Sequence, residues 1–248
     1  MKKLCVIIPV YKTELNAMEE ESVFRTFQIL ASRDICFVAP EGLDITYYLN
    51  FFENREPNFV FLEKEFFEGI QGYNKLMLDP AFYNRFSNYE YMLIAQPDAY
   101  ILSDIDEMDT FIEKGYSYWG APWNPYLKVY RLDFKGARHF GFLLSPVVCK
   151  SGNGGFSLRH IQATIRLLTS KKFTVKTWCN NYNEDGFFAY FAHSKMHGWF
   201  TCPTESEAEK FALEADMKIK LSSGYKVFAV HAWEKMLSGF DELKKYIR

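Results

Sequence analysis

Over its first half the chain alternates short apolar runs with stretches of helical periodicity. Leu4-Cys5-Val6-Ile7-Ile8-Pro9-Val10 is continuously apolar and carries a proline near its end, the pattern of a strand covered on both faces. Residues 16–32 place Val23, Phe24, Phe27, Leu30 and Ala31 on one side and Glu19, Glu20, Glu21 and Arg25 elsewhere, which predicts a helix. A second apolar run at 35–39, closed by Pro40-Glu41-Gly42, completes a β-α-β start. A third strand is expected at 58–62. Helical packing is expected from 72 to about 86, broken near Asp79-Pro80, followed by another buried strand at 91–95 that ends in Gln96-Pro97-Asp98. After Tyr100-Ile101-Leu102, the carboxylates Asp104, Asp106, Glu107 and Asp109 lead into a helix ending near Lys114. This alternation predicts an α/β fold with a mostly parallel, doubly wound sheet and helices on both faces.

The pattern changes between 115 and 159. Gly, Pro, Trp and Tyr are frequent there, in Trp119-Gly120-Ala121-Pro122-Trp123 and Gly152-Asn153-Gly154-Gly155-Phe156, and no long helical pattern is present. The working surface is expected in this stretch. Helical texture returns at 160–170, 185–197, 205–215 and 236–247. No repeat or linker divides the chain, so a single domain over 1–248 is expected.

Composition narrows the function classes. A hydrophobic share of 48% with 24% charged residues is that of a globular protein rather than a disordered one. The 18% aromatic share, with 24 Phe and 16 Tyr, fits either a Phe-rich core or flat rings that cover the apolar faces of sugars. A net charge of -2 gives no electrostatic reason to expect nucleic acid. Cys5, Cys36, Cys149, Cys179 and Cys202 are odd in number and scattered, so a reducing, cytoplasmic setting is expected. The apolar run after Met1-Lys2-Lys3 is only about one strand long, and nowhere does an apolar stretch reach the roughly 20 residues that span a bilayer. No transmembrane segment is therefore expected, and membrane association would be peripheral, at the inner face.

In open α/β sheets ligands sit beyond the carboxyl ends of the strands. The residues there are Tyr11-Lys12-Thr13, Pro40-Glu41-Gly42 and Gln96-Pro97-Asp98. Asp98 suits a divalent cation bridging two phosphates, and a turn-forming aspartate would look the same. The Gly152–Arg159 stretch either lets backbone N–H groups approach a ligand or makes a structural turn; it matches neither a P-loop nor G-x-G-x-x-G. Glu184 and Asp185 precede an apolar helical run, where they serve as helix caps or supply a general base. His231 follows an apparent strand at 227–229 and fits a metal ligand, a phosphate ligand or a hydrogen-bonded structural histidine. His193 and His197 lack the glutamate of a zinc-protease motif.

Seven segments in order resemble an uncharacterised bacterial and fungal glycosyltransferase-like family of the GT-A fold: Tyr73-Asn74-Lys75-Leu76, Leu93-Ile94-Ala95-Gln96-Pro97-Asp98, Trp119-Gly120-Ala121-Pro122-Trp123, the stretch 152–159, Asn183-Glu184-Asp185, Glu207-Ala208-Glu209-Lys210-Phe211 and Val230-His231-Ala232-Trp233. The opening Ile7-Ile8-Pro9-Val10-Tyr11 is similar to the first strand of inverting glycosyltransferases. The resemblance implies a nucleotide-binding half at 1–114 and an acceptor-side half at 115–248. It implies that Val10, Tyr11, Lys12, Asn74, Lys75, Gln96, Asp98, Gly154 and Gly155 bind a nucleoside diphosphate sugar, with a UDP-sugar favoured. Asp98 and His231 would hold Mn²⁺ or Mg²⁺, with Gln96 standing where the family's Asp-x-Asp signature has its first carboxylate. Asp185 and Glu184 would be catalytic. Trp119, Trp123 and Trp233 would contact a glycan or lipid-linked acceptor. The rival expectations are a non-catalytic glycan-binding protein of the same fold and a sugar nucleotidyltransferase, the latter disfavoured by Tyr11-Lys12-Thr13-Glu14 in place of a Gly-rich loop.

Overall fold

The computed structural model describes residues 1–53, 55–130, 146–178, 182–194 and 198–247. Cys179 and His197 lie outside the described residues, as does part of the expected working surface.

The chain opens with β1 (Lys2–Pro9), α1 (Ala17–Ile29), β2 (Asp34–Pro40) and β3 (Phe59–Leu62). Next come α2 (Gly69–Met77), α3 (Pro80–Asn84), β4 (Tyr89–Ala95), β5 (Ala99–Ile101) and α4 (Met108–Ile112). Two long strands follow, β6 (Tyr118–Val129) and β7 (Val147–His160), then α5 (Ile161–Ser170), α6 (Lys172–Trp178) and α7 (Glu184–His193). The chain ends with α8 (Glu205–Phe211), β8 (Ala212–Leu213), α9 (Met217–Ser222), β9 (Ala229–His231) and α10 (Phe240–Leu243). Local chemistry sets several of these boundaries. Asn16 caps α1 in a reciprocal capping box with Glu19, and Asp79 with Pro80 ends one helix and starts the next.

Six strands form the main sheet in the order β3-β2-β1-β4-β7-β6. The pairings among β3, β2, β1 and β4 are parallel, as the β-α-β pattern requires. β7 then runs antiparallel to β4 and pairs antiparallel with β6. The sheet is thus parallel on one side only, because the described residues 118–129 and 147–160 form two long strands that extend it from β4 by antiparallel pairing. A second sheet, β5-β9-β8, packs beside it.

Alternate residues of β1 enter separate cores. Leu4, Val6 and Ile8 join Val23 and Phe27 of α1 on one face, whereas Cys5 and Ile7 join Leu76 and Met77 of α2 and Phe187 and Phe188 of α7 on the other. The aromatic excess serves these cores. Phe27, Phe37, Phe51, Phe52 and Phe59 form one connected set of tilted, edge-on and stacked rings. No helix among the described residues is long and apolar enough to cross a membrane.

Candidate functional site

A cleft of about 570 Å³ opens at the carboxyl ends of β1 and β4. One wall is the turn after β1, with Val10, Tyr11 and Lys12; the Tyr48 hydroxyl donates to the Lys12 carbonyl at 2.7 Å and fixes this turn. Gly69, Ile70, Tyr73 and Asn74 at the start of α2 form a second wall. Gln96, Pro97 and Asp98, the β7 residues Asn153, Gly154 and Gly155, the α7 residues Glu184 and Asp185, and His231 with Lys235 complete the lining.

Two charged groupings meet on β7. Gly154 packs against the Glu184–Asp185 pair: a Cβ there would lie 2.7 Å from Glu184 Oε1 and 3.1 Å from Asp185 Cβ. Gly155 packs against His231, where a Cβ would come within 1.9 Å of Nε2. These glycines are therefore required for close approach within a strand, not for a turn. A single dipeptide step separates the carboxylate pair from the histidine.

At the histidine end, His231 Nε2 lies 3.3 Å from Asp98 Oδ1 and 3.2 Å from Gln96 Oε1. On the far side of the ring, Nδ1 faces Glu214 Oε2 at 3.6 Å, an ion-pair contact too long for a hydrogen bond. Burial alone would push the imidazole pKa down, but the contacts with Asp98 and Glu214 outweigh it and hold His231 up to about 9. Asp98 moves the opposite way: burial works against its charged form, and the hydrogen bond and charge of His231 prevail, so its pKa is lowered. Ala232 adopts a left-handed φ of 51°, which lets His231 face the cleft while Trp233 enters the core.

Gly155→Ala is expected to force the imidazole away from Asp98 and move its titration from about 9 towards the ordinary value near 6.5. Stability contributed by a raised histidine pKa is complete below about pH 6.5 and lost as pH rises through 9. The variant's deficit should therefore shrink over that interval. Histidine proton NMR reads the shift directly, and an unmoved titration would show that β7 yields instead.

At the carboxylate end, burial and then the neighbouring Glu184 charge raise the Asp185 pKa to about 7. Its Oδ1 accepts from the Gly186 N–H at 2.7 Å, which opposes the rise without cancelling it. Glu184 is buried and paired at 3.2 Å with Arg159, which is itself fully buried. Arg159 also donates to the Tyr83 hydroxyl at 2.7 Å and to Ser157 Oγ at 3.1 Å, and it lies over the Phe188 ring. For Glu184, burial pushes the pKa up while the Arg159 charge opposes it.

Other expected site residues fall elsewhere. Asn74 borders the cleft, but its amide clamps the start of α7: Oδ1 accepts from the Glu184 N–H and Nδ2 donates to Asn183 Oδ1, both at 3.1 Å. Lys75 is exposed, away from the cleft lining. Trp119 and Trp233 are fully buried, which rules out the acceptor contact expected of them. Trp119 packs edge-on against Phe111 and Tyr116, and Trp233 donates to Ser22 Oγ at 3.0 Å. Trp123 lines a separate groove with Tyr126 and Glu205. Tyr73, Arg159, Glu214 and Lys235 belong to the site or its support without being among the residues expected there. Arg159 carried a signal, a lone cation beside Leu158 in a strand pattern, which demands a buried partner.

Among the described residues no group of three or more His, Cys, Asp or Glu side chains converges as a metal site. His231 Nε2 nevertheless lies within 3.3 Å of Asp98 Oδ1 and 3.2 Å of Gln96 Oε1. Adjacent ligands of an octahedral ion with bonds near ~2.1 Å stand about 3 Å apart, so each of these pairs has the spacing of two neighbouring ligands once His231 gives up the proton that Asp98 and Glu214 favour.

A family model described as "Protein of unknown function (DUF5672)" matches residues 56–231, from before β3 to the end of β9. The chain belongs to this family. No curated protein matches it. Among solved structures, it is similar to a glycosyltransferase involved in the glycosylation of the major capsid of PBCV-1, with a TM-score of 0.51 and 12% identity over 92% of this chain and 93% of that one. A likeness to the mannosyltransferase Ktr4p from S. cerevisiae, in complex with GDP, has a TM-score of 0.45 and 8% identity over 70% of this chain and 62% of that one. The DUF5672 chain thus shares the fold of a glycosyltransferase, and its cleft lies at the strand ends where α/β sheets bind ligands.

Proposed function

We propose that this protein transfers a hexose from a nucleoside diphosphate sugar to a hydroxyl of a glycan or glycoconjugate, with inversion. The observation that carries the reading is the juxtaposition on β7: a carboxyl held at about 7 beside Gly154, and a histidine–aspartate pair beside Gly155. A group that titrates near neutrality is matched to general-base work, and the paired end suits a diphosphate with its cation.

In this mechanism Asp185 accepts the proton of the attacking hydroxyl as its oxygen bonds to the anomeric carbon. The bond from that carbon to the β-phosphate oxygen breaks, and the nucleoside diphosphate leaves with the electron pair. Asp98, His231 and Gln96 would hold a divalent cation, which supplies charge neutralisation to the departing diphosphate. Lys235, on the lining, adds positive charge for the phosphates, whereas Lys12 is already ion-paired with Glu19 at 2.6 Å. The start of α7, fixed by Asn74, keeps Asp185 at the sugar.

Thermal-shift and calorimetric titration with UDP-, GDP-, CMP- and dTDP-sugars tests the reading, because a ligand bound only by the folded state raises its stability. A ligand at one hundred times its Kd adds about 2.7 kcal/mol. The expected result is a response to one nucleotide, with UDP-sugars tried first, that strengthens with Mn²⁺. Silence across the panel from a folded sample would replace the transferase with a glycan-binding protein.

A further inference from the structure

The cleft wall between the two charged groupings contains buried polar atoms that nothing in the protein answers. The Tyr73 hydroxyl and Glu184 Oε2 are both inaccessible and have no hydrogen-bond partner among the described residues. Both side chains border the cleft. The Gln96 amide lies beside the phenol without completing a hydrogen bond, and its Oε1 already faces His231. Folded proteins leave few polar atoms unpaired, and those that persist are commonly completed by a bound molecule.

The chemistry of these atoms narrows that molecule. Glu184 Oε1 is held by Arg159, so Oε2 is fixed in place and accepts only. It requires a donor hydroxyl or amine. Burial keeps the Tyr73 phenol protonated, so it offers a donor and a free lone pair. A ligand that answers both presents hydroxyl groups on a compact frame, as a monosaccharide ring does.

We propose that the Tyr73 hydroxyl and Glu184 Oε2 form a hydroxyl-reading wall for the transferred sugar, with Tyr73 as a specificity-determining contact. The proposal rests on the transferase reading above. Tyr73 answers for part of the sugar's affinity and none of the nucleotide's. A deoxy sugar that leaves Glu184 Oε2 unpaired is rejected more strongly than one that merely fits poorly, because the site then keeps an unanswered buried acceptor.

The test compares wild type with Tyr73→Phe by calorimetry, using UDP, GDP and dTDP and their hexose conjugates. The nucleoside diphosphate alone should bind the two proteins within about twofold, while its hexose conjugate should bind the variant about tenfold more weakly, the scale of one hydrogen bond. The free variant should melt no lower than wild type, since only an unpaired atom is removed. Intact nucleotide binding with an unchanged sugar contribution would overturn the assignment of Tyr73 while leaving the transferase reading in place. A melting point several degrees lower would also overturn it, by showing that the hydroxyl is answered in the free protein. Failure of wild type to bind any of the nucleotides or conjugates would remove the transferase reading and this proposal together.

Discussion

Replacing Asp185 by asparagine is expected to slow transfer by about 10²- to 10⁴-fold, the range a positioned general base supplies, while nucleotide-sugar affinity stays within about twofold. The substitution keeps shape and removes only the proton acceptor. Wild-type turnover should rise with pH through about 7, as Asp185 ionises, and level off above it. The residual rate of the variant should lack that rise. Near wild-type turnover in Asp185→Asn would show that another group takes the proton.

The same group makes an opposite statement about stability. Its pKa lies near 7 in the folded protein against about 3.9 for an unfolded aspartate. A raised pKa favours the fold only below the unfolded value, and that advantage is lost as pH climbs to 7. Asp185→Asn should therefore gain on wild type across this interval. At pH 8 the gain should be on the order of 2 kcal/mol, less than the full shift implies because the carboxylate is partly wetted by the cleft. Urea denaturation at pH 5 and pH 8 brackets about two thirds of this interval. Equal stability differences at the two pH values would contradict a perturbed Asp185.

The second large effect belongs to Arg159. Arg159→Met should cost about 3–5 kcal/mol, because it leaves the buried Glu184 carboxylate without its cation. The double variant Arg159→Met/Glu184→Gln should recover a large part of that loss, since no charge is then left alone. Chemical denaturation of the two single variants and the double variant measures the coupling. Additive losses would mean that the pair does not act as a unit.

Much of the main sheet is legible in the sequence because its strands are buried on both faces. Unbroken apolar runs at 4–10, 35–39 and 91–95 correspond to β1, β2 and β4, and the residues just beyond β1 and β4 border the cleft. The stretch 115–159 misleads because glycine carries two meanings. Gly154 and Gly155 look like a turn, yet they sit inside β7 where side chains from α7 and β9 need the room. Tryptophans mislead for a related reason. Periodicity says that a large ring must be covered but not by what, and protein covers Trp119 and Trp233. Glu214 and Lys235 escape a linear reading because their importance comes from contacts across the β8–β9 region, with no motif to announce them.

His231 belongs to the small β5-β9-β8 sheet, while Glu184 and Asp185 ride on α7, which packs on β7 of the large sheet. A molecule that spans the cleft therefore touches groups carried by both sheets, which also share one core where Ala99, Ile101, Ala212 and Ala229 pack with Trp119 and Phe156. It would bridge the two sheets, so the distance between the reacting groups is set by the core that holds the sheets in register as well as by the side chains themselves.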